Sequence, residues 1–129
     1  MDILTPNETE ALILAGLPPA RLDLTEAARI ARSLQSRGPA AVVVKLGDQG
    51  CLLVADGEPR HLPAPAVKAV DTTAAGDVFN AALAVGLSEG LDLFAACQFA
   101  NRAAAFSTTQ MGAQPAALNR AQVEAFGAL

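Results

Sequence analysis

Residues 40–62 read AAVVVKLGDQGCLLVADGEPRHL, and this stretch decides the fold. Ala40 to Leu46, with Val42, Val43 and Val44 at its centre, is a continuous β-branched run. Such a run predicts a strand covered on both faces, not an alternating half-exposed one. Gly47-Asp48-Gln49-Gly50 predicts a turn, and Cys51 to Ala55 the next strand. Asp56-Gly57 is a hairpin signal leading into Arg60-His61-Leu62.

Toward the N-terminus, Ile3-Leu4 predicts the end of a buried strand. Pro6-Asn7 breaks it and caps a helix over Glu8 to Ala15, stopped by Gly16 and the Pro18-Pro19 pair. A second helix follows Asp23 or Thr25, with Ala27, Ile30, Ala31 and Leu34 at helical spacing, and Gly38-Pro39 ends it. On the other side, Ala66 to Val70 predicts one more strand. Helices are then expected from about Ala75 to Leu87, from Leu93 to about Thr109, and briefly after Asn119. Repeats, low-complexity stretches and linkers are absent from the sequence. The order of elements predicts an α/β layered fold, its partly parallel sheet flanked by helices. A parallel sheet that starts at residue 3 calls for neighbouring strands beyond this sequence, so a fragment is expected; a start at a natural methionine stays open.

The 129 residues suffice for one domain with a hydrophobic core. They are 52% hydrophobic and 17% charged, and the net charge is −4. That acidity argues against general nucleic-acid binding and against anionic membrane surfaces. Cys51 and Cys97 lie far apart, match no metal-ligand spacing and sit among apolar neighbours, as small buried hydrophobes do. No targeting segment opens the chain, and no apolar run approaches the ~20 residues of a membrane span. A soluble, cytoplasmic protein is expected.

Asp71-Thr72-Thr73-Ala74-Ala75-Gly76-Asp77 lies between a predicted strand and a predicted helix. Small residues there leave backbone amides uncovered at the positive end of the helix dipole, where a polyphosphate or a developing anion can be held. A carboxylate in the same turn repels phosphate, a conflict that resolves if Asp77 faces an attacking hydroxyl and takes its proton. Read by spacing alone, Asp77 is equally an N-terminal helix charge and Asp71 a turn residue. Asn7-x-x-Glu10 opens a helix as a variant of the capping box. Asn101 is a polar amide on a mostly apolar stripe with Phe94, Cys97, Ala104 and Thr108. There it either bonds a neighbouring loop or marks a pocket. His61, the single histidine, reads best as a surface strand residue, and Arg29, Arg32 and Arg37 as a solvated helix face. No Walker A motif occurs, so any nucleotide site must be of the anion-hole type.

The stretch from Asp71 to Asp77 resembles the signature of the ribokinase family of carbohydrate kinases, Asp-Thr-x-Gly-Ala-Gly-Asp, with Ala74 at its first glycine. The resemblance continues through Val78-Phe79-Asn80-Ala81-Ala82-Leu83. It takes in Thr5 to Glu10, Leu46-Gly47 and Gly112-Ala113-Gln114-Pro115 in the right order. It implies that Asp77 is the catalytic base and that the amides of Ala74, Ala75, Gly76 and Asp77 form the anion hole. Asn7 and Glu10 would help place phosphates and magnesium, largely through water, a role compatible with capping. Lys45, Leu46, Gly47, Asp48, Gln49 and Gly50 align with the nucleotide-contacting turn, where Lys45 stands in place of a common Thr. Asn101 would lie at the adenine pocket.

An activating monovalent cation, potassium, is implied at Asp71, Thr73, Ser107, Gln110, Gly112 and Ala116, mostly through carbonyls. Ala116 replaces a common Ser. The resemblance further implies ATP as phosphoryl donor and the primary hydroxyl of a pentose, D-ribose first, as acceptor. The whole chain then corresponds to the nucleotide-binding and base part of a kinase domain, without the N-terminal half and small β lid that make most sugar contacts and the family's dimer interface. Rival expectations are another sugar or nucleoside kinase of the superfamily, and a catalytically silent nucleotide-binding or assembly module.

Overall fold

The structure, a computed structural model, describes residues 2–18, 20–68, 70 and 74–109. The chain divides into two compact units, Met1–Leu62 and Pro63–Leu129.

The first unit contains strand β1 (Ile3–Leu4), helices α1 (Glu8–Ala15) and α2 (Leu24–Gln35), and strands β2 (Ala41–Lys45), β3 (Cys51–Val54) and β4 (Arg60–Leu62). They form a four-stranded sheet in the order β1-β2-β3-β4. β1 runs parallel to β2, while β2–β3 and β3–β4 are antiparallel, giving the partly parallel sheet expected. A parallel pair needs a crossover, and α1 and α2 supply it. In the β2–β3 register Val42 faces Val54 and Val44 faces Leu52. These four side chains share one sheet face and pack with Ala11, Leu12, Ala27, Ile30, Ala31 and Leu34 of the two helices. Ala41, Val43, Cys51 and Leu53, on the opposite face, are buried too. The unbroken β-branched run answers to that two-sided burial.

Local chemistry sets the ends of these elements. Gly16 stops α1 with φ 74°, and its N–H donates to the Ile13 carbonyl while that of Leu17 reaches Leu12. A left-handed residue closing a helix in this way favours glycine. Asp23, not Thr25, caps α2 by accepting the Glu26 amide at 2.7 Å. At the other end of α2, Gln35 Nε2 donates to the carbonyls of Ala40 (3.0 Å) and Ala55 (2.7 Å). One side chain thereby ties the helix to the start of β2 and the end of β3. The Asp56-Gly57 signal holds, with Gly57 at φ 82° in the loop between β3 and β4.

The second unit contains α3 (Ala75–Ser88) and α4 (Leu93–Thr108), close to their expected bounds. The two pack on each other through small residues. A Cβ on Gly86 would lie 3.2 Å from Ala96 Cβ and 3.3 Å from its Cα. The strand expected over Ala66 to Val70 is not formed among its described residues. Pro63 and Pro65 remove ladder donors just ahead of it, and the Val70 N–H donates to the Thr108 carbonyl at 2.6 Å. The helix expected after Asn119 lies outside the described residues. No described helix is long and apolar enough to cross a membrane.

Gly86→Val should destabilise this helix pair by about 1–3 kcal/mol, because the added methyls meet Ala96 backbone as well as its side chain. A urea titration followed by circular dichroism measures the loss; an unchanged midpoint would show that the pair can move apart freely.

Candidate nucleotide and phosphoryl-transfer site

The first unit brings Asn7, Glu10 and the Lys45–Gly50 segment together. The Lys45 N–H donates to the Pro6 carbonyl at 2.8 Å, and Asn7 bridges Lys45 in parallel register. The start of α1 therefore sits beside the C-terminal end of β2. In open α/β sheets ligands collect outside the carboxyl ends of strands. Asn7 Oδ1 accepts the Glu10 amide at 2.8 Å, and Glu10 Oε1 accepts the Asn7 amide at 3.0 Å. The capping box is thus complete, yet both residues are exposed and only one carboxylate oxygen, Oε1, is engaged in it. Gly47–Gln49 forms a short 3₁₀ turn. Leu46 N–H donates to the Gly50 carbonyl and Gly50 N–H to Gly47. Gly47 (φ 60°) and Gly50 (φ 87°) supply the left-handed conformations that close it. His61 is an exposed strand residue, as expected, and one contact was not foreseen: its Nε2 lies 2.6 Å from the Gln49 carbonyl oxygen.

The second unit holds the start of α3 and the buried stripe of α4. Ala74 precedes α3 and offers no side-chain cap, whereas Asn7, Asp23 and Asp92 each cap their helices through a carboxylate or amide oxygen. The amides of Ala75, Gly76 and Asp77 occupy the first turn, where no carbonyl of the helix can reach them. Asp77 stands at the third helical position and, like Gly76, is exposed. On α4, Cys97, Asn101 and Thr108 are buried on one stripe, with Phe94 and Ala104 half-buried. The Ser107 hydroxyl donates to the Ala104 carbonyl at 2.7 Å, and the Ser107 carbonyl lies in the last turn, at the negative end of the helix, where the Thr109 N–H reaches it. Asp71, Thr73, Gln110, Gly112 and Ala116 lie outside the described residues. Among the described residues no three His, Cys, Asp or Glu side chains cluster as a metal site. Both cysteines are buried and neither forms a disulfide.

The chain matches the family described as pfkB family carbohydrate kinase over residues 1–120. It belongs to that family. The ribokinase of Thermotoga maritima superposes on all of the chain and on 43% of its own length, at a TM-score of 0.86 and 46% identity. The ribokinase of Arabidopsis thaliana, solved with ribose and ATP, covers 98% of the chain at a TM-score of 0.85 and 35% identity, over 40% of its own length. A deoxyribokinase of Salmonella typhimurium is 41% identical over 113 residues, 88% of the chain and 36% of that protein. The chain therefore spans about two-fifths of the length of its relatives.

Asn7→Ala should cost about 1 kcal/mol by removing the α1 cap, and Asn7→Asp should restore most of it. Chemical denaturation of the three proteins checks this. Equal stability of all three would remove the cap as a structural reason for Asn7.

Proposed function

We propose that the chain is the nucleotide-binding and catalytic-base part of a sugar kinase that transfers the γ-phosphoryl group of ATP to the primary hydroxyl of a pentose, D-ribose above others, giving D-ribose 5-phosphate. The observation that carries this is the start of α3: an uncapped first turn with Asp77 exposed within it. Asp77 takes the hydroxyl proton as the sugar oxygen forms its bond to phosphorus and the bond to the β-phosphate oxygen breaks, releasing ADP. The amides of Ala74, Ala75, Gly76 and Asp77 hold the transferring oxygens. Such catalysis is mostly positioning and electrostatic stabilisation.

Magnesium, when bound, would neutralise charge on the phosphates. Glu10 fits a water-mediated contact to it, because its box uses Oε1 and leaves Oε2 outside that pair. Lys45 and the Gly47–Gly50 turn would border the nucleotide, and Asn101 the adenine. Potassium would sit among carbonyls that include Ser107, whose place at the end of α4 suits a cation. Two buried cysteines outside any disulfide agree with a reducing cytoplasm.

Deoxyribose is the second acceptor to test, on the strength of the Salmonella relative. Comparing kcat/KM for the two sugars decides between them. Asp77→Asn should lower phosphoryl transfer by about 10²- to 10⁴-fold with ATP-analogue affinity nearly unchanged; near-normal turnover would remove Asp77 from the role.

Calorimetric titration with a magnesium complex of a non-hydrolysable ATP analogue tests the nucleotide half separately. Saturable binding, weakened by Asn101→Leu, is expected. A folded chain that binds nothing would be an assembly module instead.

A further inference from the structure

His61 belongs to β4, opposite Leu52 of β3, and its ring reaches back along the sheet edge to the Gln49 carbonyl. A carbonyl oxygen only accepts, so the ring must donate through Nε2–H. The contact therefore ties the ring to the turn through a single donor. The turn it holds is otherwise closed by its own backbone. Gln49 N–H donates to Leu46, Gly50 N–H to Gly47, and Leu46 N–H to Gly50. Glycines with positive φ flank Asp48 and Gln49 at both ends. Glycine leaves such a conformation as easily as it enters it, so local bonds alone define the tip weakly.

We propose that His61 is a positioning residue that pre-orders the Gly47–Gly50 turn for the nucleotide. The inference rests on the nucleotide assignment of that turn. Affinity is gained when a loop is already in its bound shape, because ordering it no longer opposes binding. His61 touches neither phosphate nor sugar in this role and acts only through the Gln49 carbonyl.

His61→Val keeps strand propensity at this exposed edge position and removes the donor. His61→Gln keeps an N–H donor at similar reach. The chain and both variants are titrated with the magnesium complex of the ATP analogue, and amide exchange is followed at Gln49 and Gly50. His61→Val should exchange faster at those two amides and bind about three- to tenfold more weakly, the worth of one such hydrogen bond. His61→Gln should recover both. If the Val variant perturbs the fold, His61→Thr makes the same comparison. Equal affinity of the Val variant overturns the proposal while leaving the turn assignment intact, and so does failure of Gln to recover binding. Absence of nucleotide binding by the unaltered chain removes the assignment and the proposal together.

Discussion

The architecture of the first unit hangs on one short parallel pairing. Ile3 and Leu4 align with Ala41 and Val42, and the alignment is extended at both ends. Ala40 donates to the Asp2 carbonyl, and Lys45 to that of Pro6. Because the pairing runs on to the bridge between Asn7 and Lys45, it decides where α1 can begin. The cap of α1 and the turn after β2 are thereby brought to the same end of the sheet. Neither could be moved by one residue without changing which face of β2 meets the helices, since side chains alternate along a strand. Gln35 reinforces the same register from the other end of the crossover.

Capping separates two kinds of helix start in this chain. At α1, α2 and α4 an Asn or Asp side chain accepts the amide three residues on, and that amide is no longer available to a ligand. α3 begins at Ala74, which has no acceptor to offer. An Asp or Ser there would have stabilised the helix by about 1 kcal/mol. Its absence is a local inconsistency of the kind that functional sites show in otherwise well-capped proteins.

Much of this was legible in the sequence, for stateable reasons. The valine run, the Asn7 and Gly16 boundaries of α1 and the periodic stripe of α2 are local signals, and the structure repeats them almost residue for residue. Ala66 to Val70 misled because β-propensity records a fit to a half-buried surface and cannot say whether a partner strand is present. The uncapped start of α3 could be read directly, as could Asn101 from its apolar neighbours. His61 could not be read in this way. Its contact with Gln49 depends on the β3–β4 register and on how the preceding turn closes, and no spacing pattern marks it.

One physical difficulty of the proposed site is a carboxylate beside bound phosphate. Two unit charges about 5 Å apart repel by ~0.8 kcal/mol in water and by ~3 kcal/mol at an effective dielectric of 20. A helix N-terminus favours each nearby negative charge by about 0.3–1 kcal/mol. With Asp77 exposed, the two effects are of the same size, so base and phosphate could share the first turn of α3 without a large penalty. In a dry site the repulsion would dominate, unless a hydroxyl stood between the carboxylate and phosphorus and began to give up its proton. An exposed Asp77 would therefore leave the first turn of α3 accessible to phosphate, and a sugar hydroxyl set between carboxylate and phosphorus would separate the two charges.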